Sequence, residues 1–238
     1  MRYALLVLAL LWLMPATAMA KGETEDGACA APVDVGLDPG HSSFDVGAVG
    51  GGLSEYEVTF AIALRVRDLL EAEGLTVAMS REDDLPLTDF SAEAYTDAVR
   101  QEQERRIAAV GNARLYISIH LNGYSDPRVR GLEVYFNGDN HGEESSALAA
   151  SIHRRLLETL SDAGYEVPDR GVKEDLAAGK PYGHFFSLRG PMPSVLVESM
   201  FLTNPTEAAL LAEESTQEAI ALGIAEGIVE YLEAESGL

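Results

Sequence analysis

An alternation of hydrophobic period near the start of the chain restricts its fold more than any other feature. Val33 to Leu37 is a short apolar run closed by Asp38-Pro39-Gly40. Ser54 to Glu73 carries apolar residues at helical spacing, with Ser54 placed to cap the helix and Gly74 to stop it. Leu75 to Met79 is strand-like again, Ala98 to Val110 helical, and Leu115 to Ile119 strand-like. This order predicts an α/β sandwich around a largely parallel sheet. Further strands are predicted at Leu132 to Phe136 and Ser194 to Val197, and further helices at Ser146 to Ser161 and Gln217 to Leu232. The stripe Leu148, Ile152, Leu156, Leu160 marks the inner face of the first of these. Glu82 to Tyr95 and Tyr165 to Gly183 are rich in Asp, Gly or Pro and read as surface loops near a cleft.

The 238 residues suit one domain with short extras. Residues 1–20 stand apart. Arg2 precedes an unbroken apolar run from Ala4 to Met14, and Ala18-Met19-Ala20 has the form of a cleavage site. The run is shorter than the ~20 residues that span a bilayer. A secretory signal removed after Ala20 is therefore expected, with a periplasmic or extracellular product that carries no membrane segment. Residues 21–32 read as a disordered acidic leader, and 33–238 as a single catalytic domain. The one cysteine, Cys29, lies in the leader and builds neither an internal disulfide nor a thiolate cage. A formal charge of −22 repels nucleic acid and anionic lipid. A monomer is expected.

In an open α/β sheet, ligands gather beyond the carboxyl ends of the strands. His41 follows the first strand, His120 ends the third, and Glu198 follows the apolar run Ser194 to Val197. Glu55 and Glu57 compete for a place beside them. At ~100° per residue, Glu55 shares a face with Val58, Ile62, Val66 and Leu69, whereas Glu57 points about 160° away. A carboxylate on the buried stripe calls for a partner, which selects Glu55. Two histidines and a carboxylate can hold a catalytic zinc and leave one position open. Glu198 is then the proton shuttle of a zinc hydrolase. His153 and His141 read as surface residues, and His184 as a residue that could line the cleft. The glycine-rich turns match no nucleotide fingerprint, and no serine elbow occurs.

The segments LDPGHSSFDVGA, GGLSEYEVTFAIALRV, LYISIHLNG and PSVLVESMFLTNPTEAALL resemble, in order and spacing, the zinc-dependent N-acetylmuramoyl-L-alanine amidases of the cell-wall type. The resemblance runs from about Val33 to Leu232. It implies a mixed six-stranded sheet flanked by helices, zinc held by His41, Glu55 and His120, and Glu198 as the catalytic carboxylate. It also implies cleavage of the amide between N-acetylmuramic acid and L-alanine in peptidoglycan or muropeptides, with any protein activator left unspecified. Asp38 would orient His41, and Asn122 and Arg189 would contact the stem peptide. Ser42-Ser43, Leu121 and Ala108-Ala109 depart from the family pattern and bear on the rim of the cleft. The stretch from Phe136 to Arg170 is fully used by one helix, so no inserted helical plug is expected. Two other functions compete: a non-catalytic peptidoglycan-binding or regulatory module on the same fold, and a zinc peptidase acting within the stem peptide.

Overall fold

The structure, a computed structural model, describes residues 33–88 and 95–237; the expected signal and leader lie outside the described residues. In chain order the elements are β1 (Val33–Pro39), β2 (Val49–Gly50), β3 (Leu53–Ser54), α1 (Glu55–Ala72), β4 (Val77–Met79), α2 (Tyr95–Ala109), β5 (Ala113–Asn122), β6 (Leu132–Phe136), α3 (Gly142–Asp162), β7 (Asp169–Glu174), β8 (Ser194–Phe201), α4 (Pro205–Leu211) and α5 (Glu214–Ser236).

Six strands form one mixed sheet in the order β4-β1-β5-β8-β6-β7. Pairing is parallel throughout except between β6 and β8. Successive strand residues point to opposite faces, and the sheet divides its chemistry accordingly. Val35 and Leu37 of β1, Leu115, Ile117 and Ile119 of β5, and Val195 and Val197 of β8 join the main core with α1, α3 and α5. On the other face, Tyr116 of β5 packs with Val110 and Ile107 at the end of α2, and Asp38, Ser118, His120, Glu198 and Glu133 share that side by alternation. The strand-borne candidates His120 and Glu198 thus lie on the face away from the main core, whereas Glu55 reaches the site from the start of α1.

The helices follow the expected apolar stripes. Leu148, Ile152, Leu156 and Leu160 of α3 are all buried. Gly223 and Gly227 of α5 let that helix approach the α3 backbone; a β-carbon at Gly227 would lie 2.5 Å from the Ile152 Cα. The buried stripe of α1 ends on Leu70 rather than Leu69. Ser54 occupies the N-cap position of α1 but makes no side-chain capping bond. No helix among the described residues is long and apolar enough to cross a membrane.

Two elements differ from the sequence reading. β7 forms inside the stretch expected to be a loop. It is an edge strand of charged residues, so it shows no apolar alternation, and its order comes from pairing with β6. α4 is a short helix started by Asn204, whose side chain accepts from the Thr206 and Glu207 amides, with Pro205 next. Strands β5 and β8 also run further than expected, so His120 and Glu198 sit within strands rather than past them.

Candidate metal centre

His41 leaves the end of β1 in a left-handed conformation, φ 64°, which a non-glycine residue adopts only when its surroundings enforce it. Two buried arginines do so. Arg106 donates to the carbonyls of Pro39 (2.7 Å) and His41 (2.5 Å), and Arg81 donates to those of Pro39 (3.1 Å) and Tyr56 (2.9 Å). Asp38, fully buried, accepts from Ser80 (2.6 Å), Ser118 (2.7 Å) and Arg106 (3.1 Å). Burial pushes its carboxyl up, but the Arg106 charge and the two hydroxyls outweigh that and hold it at about 2. Asp38 therefore anchors Arg106 and does not touch the His41 ring. That place belongs to Asp45, which accepts from His41 Nδ1 at 3.1 Å and from the Tyr95 hydroxyl at 2.7 Å. The bond fixes the His41 tautomer and turns its Nε2 inward.

Glu55 opens α1 on its buried face and is 3% exposed, whereas Glu57 is exposed. Its Oε2 accepts from the Ala48 amide (2.7 Å) and its Oε1 from the Leu121 amide (3.0 Å). Oε1 also lies 3.3 Å from His41 Nε2 and 3.0 Å from His120 Nδ1. The two imidazoles meet edge to face with centroids 4.9 Å apart. Gly40 and Gly47 permit this crowding: a β-carbon at Gly40 would enter the His120 ring, and one at Gly47 would lie 2.5 Å from Glu55 Oε2. Burial works against charge on His41, yet the Glu55 and Asp45 carboxylates raise it to about 10, and Glu55 is held well below the usual carboxylate range. His41, Glu55 and His120 each offer a ligand atom, all within 4.8 Å of one another. Two imidazole nitrogens and a carboxylate oxygen, drawn together with this electrostatic pull toward positive charge, fit a divalent cation.

Glu198 stands one strand away, paired in register with His120. Its Oε2 is buried and has no hydrogen-bond partner among the described residues. Burial, together with the Glu55 and Glu133 charges, raises its carboxyl well above the usual range. Glu133 faces Glu198 from β6. It accepts from Asn122 (2.5 Å), Tyr135 (3.0 Å), Arg170 (2.8 Å) and Lys173. A cavity of about 620 Å³ opens above this pair, lined by Asn122, Tyr124, Arg170, Lys173 and Lys180 among others.

The remaining expected residues fall in different places. Asn122 lines the cavity. Arg189 spends its guanidinium on the carbonyls of Tyr182 and His184 (2.7 Å each) and stacks over Phe186, so it braces a loop outside the cavity wall. His184 is held between Asp175 (2.6 Å) and Asp139 (3.1 Å). His153 is half-buried rather than on the surface. Sequence reasoning missed Asp45, Glu133, Arg106, Arg170 and Lys173. The one available signal was spacing: Asp45 follows His41 by four residues within a tight turn.

A cluster of two histidines and a glutamate that could hold a metal ion, with the Glu198 carboxylate one strand away from His120, on an α/β sheet, suits a hydrolase. The chain belongs to the N-acetylmuramoyl-L-alanine amidase family, whose family model matches residues 35–230. It is 33% identical over 197 residues to the germination-specific N-acetylmuramoyl-L-alanine amidase of Bacillus subtilis, covering 82% of this chain and 78% of that one. It is 33% identical to the amidase AmiA of Escherichia coli, covering 82% and 74%. The CwlD amidase of Clostridioides difficile, solved in complex with the GerS lipoprotein, superposes with a TM-score of 0.73 at 29% identity, covering 85% of this chain and 99% of that one.

Proposed function

We propose that this protein is an exported, zinc-dependent peptidoglycan amidase that cleaves the bond between N-acetylmuramic acid and the L-alanine of the stem peptide. The observation that carries the reading is the His41, Glu55, His120 cluster with Glu198 one strand away in register, in a chain of the amidase family. His41, Glu55 and His120 would hold the ion. When bound, zinc supplies Lewis acidity, which polarises an amide carbonyl and lowers the pKa of water from ~15.7 toward ~7.

The protein groups divide the remaining work. Asp45 holds the His41 ring in one tautomer, and the Ala48 and Leu121 amides hold both Glu55 oxygens. Glu198, whose Oε2 has no hydrogen-bond donor among the described residues, takes a proton from the attacking water and returns it to the nitrogen of the departing alanine. The raised affinity of Glu198 for a proton in the metal-free protein suits the return of that proton to the leaving nitrogen, whereas taking it from water requires the ionised form, which a bound cation favours.

The test is digestion of purified sacculi with and without a chelator, with the products weighed by mass spectrometry. An amidase releases whole stem peptides beginning at L-alanine and leaves the glycan intact, and the chelator stops the release. Fragments cut inside the stem would identify a peptidase instead. No release from metal-loaded protein would identify a binding module.

A further inference from the structure

This chain has 39 acidic residues against 17 basic ones and only three lysines, yet two of those lysines line the cavity beside Glu198. Lys173 on β7 and Lys180 on the loop after it stand with Arg170 along one wall. The two carboxylates of the cavity, Glu133 and Glu198, lie at its floor on β6 and β8. Glu133 is spent on Arg170 and Lys173. Arg170 uses only its Nε in that bond (2.8 Å), and its guanidinium is steadied over the Phe201 ring at 5.0 Å. Its two terminal amino groups have no hydrogen-bond partner among the described residues. Lys180 has no carboxylate partner among the described residues; its ammonium stands 5.9 Å from the Phe185 ring centroid. The wall therefore presents a guanidinium fork and an uncommitted ammonium to whatever enters.

Substrate chemistry indicates what that is. The lactyl carboxyl of muramic acid is consumed in the scissile amide, so the glycan side carries no charge there. The negative charge near the bond belongs to the stem peptide. A guanidinium fork matches a carboxylate with two parallel hydrogen bonds, and a half-enclosed cavity screens the attraction less than open water does. We propose that Arg170 and Lys180 form a subsite for a free carboxylate of the stem peptide, on the leaving-group side of the bond, with Lys173 held beside them on Glu133. This rests on the amidase reading and makes the enzyme selective for stems whose carboxylates are not amidated.

Two soluble muropeptides differing only in whether the stem carboxylates are free or amidated test it, with kcat/KM measured for each. The wild type is expected to favour the free carboxylate by roughly tenfold or more, the weight of one good charge-assisted contact. Lys180→Glu should bring the ratio close to one, and Arg170→Lys, which keeps the charge and loses the fork, should reduce it. Because the ratio compares two substrates on one protein, any effect on Glu198 or on metal loading cancels. Calorimetric titration with the two released peptides should show the same selectivity and the same loss. Equal rates on both substrates in the wild type, or an unchanged ratio in Lys180→Glu, would overturn the subsite and leave the amidase reading standing. No cleavage of either by the metal-loaded wild type would overturn both.

Discussion

His120 and Glu198 occupy paired positions on adjacent parallel strands, β5 and β8, on the same face of the sheet. Neighbouring strands lie about 4.8 Å apart, so the proposed metal ligand and the proposed proton carrier are set side by side by backbone register rather than by any loop. Rotamer freedom moves their tips, but the spacing of their roots is fixed by the ladder. Glu198→Gln keeps the shape and removes the base. Turnover of muropeptides should fall by about 10²–10⁴, with bound zinc unchanged by atomic absorption. Loss of zinc together with activity would show that Glu198 is a ligand rather than a proton carrier.

Asp45 is expected to act through His41. Asp45→Asn weakens the acceptor that fixes the imidazole, and zinc affinity measured by competition with a chromophoric chelator should drop about 10–100-fold. Tyr95→Phe, which removes only the outer hydroxyl on Asp45, should cost severalfold at most. Equal effects from the two substitutions would mean that Asp45 is held by something other than this chain of contacts.

Metal uptake should release protons. In the metal-free protein His41 is raised to about 10 by Glu55 and Asp45 against its own burial, so it is charged at pH 7. Binding as a neutral imidazole then expels about one proton. Calorimetric titrations of chelator-stripped protein in two buffers of different ionisation enthalpy give the number directly, and zinc affinity should rise with pH toward 10. Binding without proton release would contradict the charged state assigned to His41.

Asp38 contributes to the pH dependence of the fold. Its folded pKa of about 2 lies below an unfolded value near ~3.9. The stabilisation is therefore present in full above about pH 5 and is lost as the pH falls toward 2, amounting to roughly 2 kcal/mol. Asp38→Asn leaves Arg106 buried with only Glu102, and should cost about 3 kcal/mol near neutrality. Measured by urea unfolding, the gap from wild type should narrow between pH 5 and 2. A gap constant over that range would show that Asp38 is not ionised in the folded protein.

The α/β alternation and the candidate set His41, Glu55 and His120 were legible because they depend on local pattern, whereas the strand order was not. Strand ends place His41 and His120, and a helical count separates buried Glu55 from exposed Glu57. What stayed hidden depends on what packs on what. Nothing in the local sequence singles out Arg106 or Glu102, because it is the docking of α2 over β1 that buries them on Asp38. Glu133 carries no signal of its own in the predicted strand Leu132 to Phe136; its partners Arg170 and Lys173 come from the neighbouring edge strand. That strand, β7, has no apolar signal because just one of its edges is paired. Asp38 was expected to orient His41, but side-chain direction decides otherwise: it alternates onto the face covered by α2 and meets Arg106.

The centre itself is tested most directly by anomalous diffraction at the zinc edge from crystals of the metal-loaded protein. One strong peak is expected, about 2.0–2.2 Å from a ring nitrogen of His41, a carboxylate oxygen of Glu55 and a ring nitrogen of His120, with Glu198 unbound beside it. A peak lying elsewhere, such as between His184, Asp175 and Asp139, with none among those three residues, would contradict the account.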